Sequence, residues 1–271
     1  MGVLKMLANY HTHTVFCDGK DTAEELVAAA INKGFSALGF SGHAPVSFDD
    51  SYCMKDVSGY IDEINRLKEK YKKDIEIYLG IEEDCSQLCD RSLFEYVIGS
   101  CHYVKIGGRY YSIDGSCEEY DSILQMFQND PVKLAEEYYK GFCDYIISRK
   151  PDIVGHFDLL TKFEEKGKSV LFSSKEYNRV AEKYLEYAAK SDCVFEVNTG
   201  AIARGYRTSP YPAENLLYVL KKNNSRVIIS SDCHSKDFLD CNFKETELLL
   251  KDIGFEYIYS FLNNEFVKEK L

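Results

Sequence analysis

The chain has 271 residues, 45% of them apolar, and a formal net charge of −11 at pH 7. That acidic balance weighs against a generic nucleic-acid surface, which needs a basic footprint. No run of about 18 apolar residues and no basic-then-apolar leader is present, so neither a membrane span nor a secretory peptide is expected.

Apolar strand-like runs alternate with amphipathic helix-like runs. Val3–Leu7 reads as the first strand, followed by a helix over Thr22–Lys33 that opens on a Thr22-x-x-Glu25 capping box and stops at Gly34. Phe35–Phe40 is a strand, Val57–Lys73 a charged helix, and Ile75–Ile81 and Tyr96–Ile98 are strands. A long loop marked by Gly107, Gly108 and Gly115 leads to a helix over Glu118–Phe127. Pro131, after Asp130, suits the first position of a helix that runs to Arg149. Ile153–Val154 is a short strand, Ser173-x-x-Glu176 caps a helix to Lys190, and Val194–Val197 is a strand. Residues 199–212 form a Gly/Pro-marked loop, Glu214–Lys222 a helix, Val227–Ser230 a strand and Phe243–Asp252 a final helix, while Ile258–Phe261 has no clear assignment.

About seven strands joined mostly through helices predict parallel pairing. In a chain of this length they favour one closed α/β barrel over an open doubly wound sheet. No GxGxxG or GxxxxGK[ST] follows a strand, so the nucleotide chemistry of the open sheet is not signalled. Without a linker or a repeat, residues 1–271 are expected to form a single domain. Ten cysteines are scattered through the predicted elements, and Cys85-x-x-x-Cys89 lacks a matching second pair. They read as reduced cytoplasmic thiols and not as staples or a zinc site.

The six histidines carry the chemistry. His11 and His13 follow the first strand and share a face, because successive strand side chains alternate. His43, His102, His156 and His234 each follow a later strand, Glu82 ends the third, and Glu196 and Asn198 end the sixth. In a parallel barrel the C-terminal strand ends gather the active site. One such histidine is most simply a hydrogen-bonded structural residue. Six of them together with carboxylates need cations. Imidazole plus carboxylate suits Zn, Fe or Mn better than Ca or an oxygen-built Mg site. The supply is the six histidines with Asp18, Glu82 and Asp232. At roughly three or four protein ligands per ion that is enough for two or three ions. Arg204 and Arg207, in the loop after the sixth strand, are placed to clamp a phosphate bidentately. Glu196, Asn198 and Asp158 are placed to orient a ligating imidazole.

His11-Thr-His13 with Asp18, Gly42-His43, Gly80-Ile-Glu82, Gly99-Ser-Cys-His102, Gly155-His156-Phe-Asp158, Glu196-Val-Asn198 and Ser231-Asp232-Cys-His234 resemble the PHP (polymerase and histidinol phosphatase) superfamily in order and spacing. The insert over Tyr103–Glu118 and the Asn198-Thr199-Gly200…Arg204…Pro210-Tyr211-Pro212 loop resemble its histidinol-phosphate phosphatase branch. The resemblance implies a distorted (β/α)7 TIM-like barrel holding three divalent transition metal ions (Zn, Fe or Mn). His11, His13, Glu82 and Asp232 would hold one. Glu82, bridging, would join His102 and His156 on the second, and Asp18, His43 and His234 would hold the third. Some members carry histidine at Asp18, and the aspartate makes that site harder, favouring Mn, Fe or Mg there.

The implied protein is a cytoplasmic phosphomonoesterase acting on a small-molecule phosphate ester, L-histidinol phosphate, with no nucleic-acid or membrane partner. Glu82, Asp232 and Arg204 would be catalytic, with Arg204, Arg207 and His43 contacting substrate. A metal-activated hydroxide would attack phosphorus in line. The insert after His102 is a candidate wall for the amino-imidazole end. Two alternatives remain: a phosphoesterase or exonuclease acting on nucleotides, against which the charge weighs, and a catalytically silent metal scaffold, against which the complete ligand set weighs.

Overall fold

The structure is a computed structural model that describes residues 6–166 and 171–271. Strand β1 (Ala8–Asn9) is shorter than Val3–Leu7 suggests, and residues 3–5 of that run lie outside the described residues. Helix α1 (Ala23–Lys33) carries the expected capping box at Thr22 and Glu25 and ends at Gly34, whose φ of 80° is left-handed. Strand β2 (Ala37–Phe40) and helix α2 (Val57–Tyr71) follow. Strands β3 (Glu76–Asp84) and β4 (Tyr96–Ser100) both run further toward the functional rim than expected.

The expected long loop is instead a hairpin of β5 (Tyr103–Ile106) and β6 (Arg109–Ser112). Gly107 and Gly108, with φ of 57° and 86°, form its turn. Two consecutive left-handed residues between β-rich runs suit a two-residue hairpin, a signal the glycine-as-loop reading passed over. Helices α3 (Cys117–Met126) and α4 (Pro131–Arg149) precede β7 (Ile153–Val154). Helix α5 (Lys175–Ala188) is capped by Ser174, whose side chain accepts from Tyr177 N, and not by Ser173. Strand β8 (Val194–Asn198) leads to a short helix α6 (Gly200–Ala203) inside the expected loop. Then come α7 (Glu214–Lys222), β9 (Arg226–Ser230), α8 (Phe243–Ile253) and an antiparallel hairpin of β10 (Tyr257–Leu262) and β11 (Glu265–Lys270). The hairpin pairs only with itself, so no helical crossover announces it in the sequence.

Seven strands pair in parallel in the order β1-β2-β3-β4-β7-β8-β9. Just beyond the first and last strands, His13 N donates to Cys233 O at 2.8 Å and Cys233 N to His11 O at 3.0 Å. Asn9 Nδ2 reaches across the same seam to Ser231 Oγ at 2.7 Å. The result is a nearly closed barrel whose seam lies where the His11–His13 and Asp232–His234 segments meet. Its lower interior is an apolar plug: Tyr10, Tyr78, Tyr96 and Phe261 pack with ring centroids 5.3 to 6.2 Å apart, Phe261 coming from the β10–β11 hairpin. Tyr96 lies across the barrel and donates to Tyr10 O at 2.6 Å. It fits because position 80 is glycine: a Cβ there would stand 2.2 Å from its ring. Among the described residues no helix is long and apolar enough to cross a membrane.

Alternation along β3 turns Tyr78, Gly80 and Glu82 inward and Glu83 outward. The Glu83 carboxylate is fully buried and accepts from Arg149 Nε at 2.9 Å, Arg149 Nη2 at 2.8 Å, Tyr145 OH at 2.8 Å and Cys89 N at 2.6 Å. This clamp ties the end of β3 to α4 immediately beside Glu82. Removing one partner of a buried pair leaves an uncompensated charge and costs about 3 kcal/mol or more. Arg149→Ala should therefore lower the unfolding free energy by that amount in a denaturant titration; a loss under about 1 kcal/mol would show that the clamp is not anchoring the strand.

Candidate metal centre

The strand ends converge as the sequence suggests. Glu82 is buried at the centre, with Oε2 3.4 Å from His11 Nε2, 3.6 Å from His13 Nε2 and 2.8 Å from His43 Nδ1. Its Oε1 lies 3.5 Å from His102 Nε2 and 3.0 Å from His156 Nε2. Asp232 Oδ1 is 3.2 Å from His13 Nε2 and 3.7 Å from His11 Nε2. Asp18 meets His234 Nε2 at 3.2 Å and His43 Nε2 at 3.6 Å. Asp232 adopts a left-handed φ of 47°, a conformation that aspartate tolerates better than most residues.

These distances test whether metal ions fit. Two ligand atoms about 2.0–2.2 Å from one tetrahedral ion stand roughly 3.3–3.5 Å apart. Most contacts around Glu82 and Asp232 cluster near that spacing, longer than a good hydrogen bond. His11 Nε2, His13 Nε2 and Glu82 Oε2 are buried polar atoms with no hydrogen-bond partner, a costly arrangement unless something else occupies their lone pairs. Three donor groups have ligand atoms within 4.8 Å of one another: His13, Asp18, His43 and His234; His11, His13 and Glu82; and His43, Glu82 and His102. The residues present fit divalent ions. The grouping differs from expectation at His43, which faces both Asp18 and Glu82, and at His13, which enters two groups.

The outer nitrogens are oriented by the fold. His11 Nδ1 meets Glu196 Oε1 at 2.6 Å, and Asn198 Nδ2 donates to Glu196 Oε2 at 2.9 Å. His102 Nδ1 meets Asp84 Oδ2 at 3.0 Å. His234 Nδ1 lies 2.9 Å from Asp232 O. The carboxylate contacts at His11 and His102 favour a proton on the outer nitrogen, which leaves the inner one available to a metal; His234 Nδ1 also faces Arg204 Nη1 at 3.0 Å. Asp84 is absent from the sequence reading, yet it lies two residues beyond Glu82 on the same strand face, a period-2 signal that was there to use. Burial opposes ionisation of Glu82, but His43, His11 and His102 override it and hold the carboxyl well below its ordinary range. Burial, with His234 and His43 nearby, pushes His13 down to about 3. His13 is therefore neutral at ordinary pH, as a ligand must be.

A cavity of about 340 Å³ opens over this cluster. Asp18, His43, His102, His156, Asp232 and His234 line it together with Asp49, Tyr52, Ser112, Asp114, Glu119 and Lys162, and the Tyr52 ring packs 4.6 Å from that of His43. Arg204 also lines it, held by Asp232 Oδ2 at 2.9 Å. Arg207 does not. Its guanidinium is buried against Thr161 Oγ1 at 2.9 Å and Asp158 Oδ2 at 3.6 Å and stacks 4.3 Å from the Tyr211 ring, so the expected substrate contact is replaced by a structural one. Asp158, expected beside His156, instead accepts from Ala213 N at 3.0 Å and faces Arg207. No sequence signal distinguishes the two arginines, because their directions are set by tertiary partners, Asp232 for Arg204 and Tyr211 with Asp158 for Arg207.

A histidinol-phosphatase from Bacillus subtilis is 26% identical over 250 residues, covering 83% of this chain and 92% of that protein. A Schizosaccharomyces pombe protein named a probable histidinol-phosphatase is 27% identical over 267 residues, covering 90% of this chain and 86% of that one. The crystal structure of histidinol phosphate phosphatase from Lactococcus lactis, complexed with zinc, L-histidinol and phosphate, shares the fold with a TM-score of 0.71 at 20% identity, covering 96% of this chain and 98% of that one. The PHP domain profile matches residues 9–200, most of the chain and nearly the whole set of ligand-bearing strand ends. The chain belongs to the PHP domain family.

Proposed function

We propose that this chain, as one domain, is a metal-dependent phosphomonoesterase that hydrolyses L-histidinol phosphate to L-histidinol and inorganic phosphate. The observation that carries the reading is the set of orphaned buried atoms, His11 Nε2, His13 Nε2 and Glu82 Oε2, packed against His43, His102, His156 and Asp232, which line a cavity that Arg204 also lines. The names of the Bacillus and Schizosaccharomyces relatives, and the zinc, L-histidinol and phosphate of the Lactococcus enzyme, support the substrate. A cytoplasmic location belongs to the same proposal, supported by ten unpaired cysteines.

We assign His11, His13, Asp18, His43, Glu82, His102, His156, Asp232 and His234 as ligands of three ions, of Zn, Fe or Mn type. When bound, such ions supply an acidified water and positive charge for phosphate oxygens. The chain supplies the rest. Glu82 offers one oxygen to the His11 and His13 side and the other to the His102 and His156 side. Glu196 and Asp84 keep protons on the outer nitrogens of His11 and His102. Arg204, anchored on Asp232, presents a fixed positive charge to the phosphate. Asp49, Asp114 and Glu119, which line the same cavity, suit the amino and imidazole groups of histidinol. Asp114 follows the β5–β6 hairpin, within the insert that is the candidate wall for that end.

The direct test is phosphate release from histidinol phosphate by chelator-stripped protein before and after adding Zn, Mn or Fe, beside single-stranded DNA and simple phosphomonoesters. Metal-restored turnover highest on histidinol phosphate supports the proposal, and turnover confined to DNA overturns it. Glu82→Gln should abolish turnover and lower bound metal together. Glu196→Gln should weaken metal binding by about 10- to 100-fold, read as chelator competition. Asp114→Asn should raise KM for histidinol phosphate about tenfold with kcat nearly kept; an unchanged KM removes Asp114 from substrate recognition.

A further inference from the structure

Two cysteines that the site does not use face one another directly behind it. Strand β3 continues past Asp84 into Cys85, and β4 past Ser100 into Cys101 and His102. The parallel register pairs Asp84 with Ser100, and Cys85 N donates to Ser100 O at 2.7 Å. Cys85 and Cys101 therefore fall opposite each other one step further on. Alternation turns Asp84 and His102 into the barrel and both cysteines outward against α4. Their Sγ atoms stand 2.8 Å apart, and neither is in a disulfide. Adjacent strands lie about 4.8 Å apart, inside the Cα range a disulfide spans. Closing the bond moves the sulfurs together by about 0.8 Å with no change of register. Cys85 is half-buried, whereas Cys101 is buried.

We propose that Cys85 and Cys101 are a modification site, forming a reversible disulfide that acts on the metal centre through His102 and Asp84. The coupling is short. Cys101 is bonded to His102, whose backbone N and ring Nδ1 both meet Asp84 Oδ2, at 2.8 and 3.0 Å. Asp84 in turn is bonded to Cys85. Drawing the sulfurs together also withdraws Cys101 Sγ from Tyr103 O, to which it now donates at 3.3 Å. The peptide that sets the His102 ring thereby loses one of its holds.

The oxidant is a low-molecular-weight disulfide, RSSR. Cys85 sulfur attacks one sulfur of RSSR, forming a mixed disulfide and releasing RS⁻. Cys101 sulfur then attacks the Cys85 sulfur, closing the Cys85–Cys101 bond and releasing the second RS⁻. The two cysteine protons go to the two released thiolates, so two thiols are oxidised as one RSSR becomes two RSH. The Cys101 thiol and burial together hold Cys85 well above the ordinary thiol pKa, so the exchange at neutral pH is slow, on the order of minutes to hours.

The test incubates the metal-loaded full chain with millimolar oxidised glutathione. It then maps disulfides by mass spectrometry after blocking free thiols, and measures metal content after desalting. The expected result is a Cys85–Cys101 linked peptide lacking two hydrogens, with at least half the bound metal lost. Dithiothreitol plus metal should restore the starting state, and Cys85→Ser treated in parallel should keep its metal; Cys101→Ala replaces it if Cys85→Ser does not fold. Absence of the linked peptide, a linked peptide with unchanged metal content, or equal metal loss in the variant each overturns the proposal. The inference rests on the proposed function only for its further consequence, about a tenfold fall in phosphate release on oxidation. Disulfide and metal readouts need no substrate, so a chain that links and loses metal without ever turning over histidinol phosphate overturns the proposed function alone.

Discussion

A single buried carboxylate organises the upper half of the barrel. Glu82 lies within 3.6 Å of five imidazoles, with almost no water to screen it. Burying a charge is expensive unless it is paired and hydrogen-bonded, yet Glu82 Oε2 has no hydrogen bond. The lower half is the reverse case, an aromatic plug of Tyr10, Tyr78, Tyr96 and Phe261. The division runs along β3 itself, where Tyr78 and Gly80 belong to the plug and Glu82 to the site. Gly80 lets Tyr96 cross the barrel, and the Glu83–Arg149 clamp holds the next residue from outside. Glu82 is therefore held from below, by the floor, and from behind, by α4.

The same economy governs the imidazoles. His11 and His102 each face inward only because a carboxylate holds the other nitrogen, Glu196 in one case and Asp84 in the other. Asn198 then orients Glu196, so the ligand geometry rests on a chain of contacts running down β8. The cavity lining also carries Asp49, Asp114 and Glu119, with Lys162 3.4 Å from Asp114. A substrate with a dianionic end and a cationic end finds carboxylates there as well as the charge of any ions the cluster carries. This is how a protein of net charge −11 suits a phosphate ester.

Much of this was legible in the residues. Alternation of strand-like and helix-like runs foretold the parallel barrel, and six histidines at strand ends foretold where its chemistry lies, because strand ends and helix caps are local signals. What escaped was decided by tertiary contacts or by turn chemistry. The β5–β6 hairpin hides behind Gly107 and Gly108, which read equally well as loop. The β10–β11 hairpin has no partner in the barrel to set its pattern. Arg207 and Arg204 look alike in sequence, and only the packing of Tyr211 and Asp158 sends one inward to the core and the other to the cavity. His43 was grouped with Asp18 and His234, whereas its two nitrogens face Glu82 and Asp18 together, a sharing that no spacing along the chain reveals.

The central claim is that Glu82 is a bridging ligand and not a hydrogen-bonded structural carboxylate. Anomalous scattering from crystals grown with manganese or zinc tests it most directly. The account predicts separate metal peaks on the two sides of Glu82, one between Oε2 and the His11 and His13 nitrogens and one between Oε1 and the His102 and His156 nitrogens. Crystals that show Glu82 hydrogen-bonded directly to these imidazoles, with no anomalous peak at either oxygen in saturating metal, would contradict it.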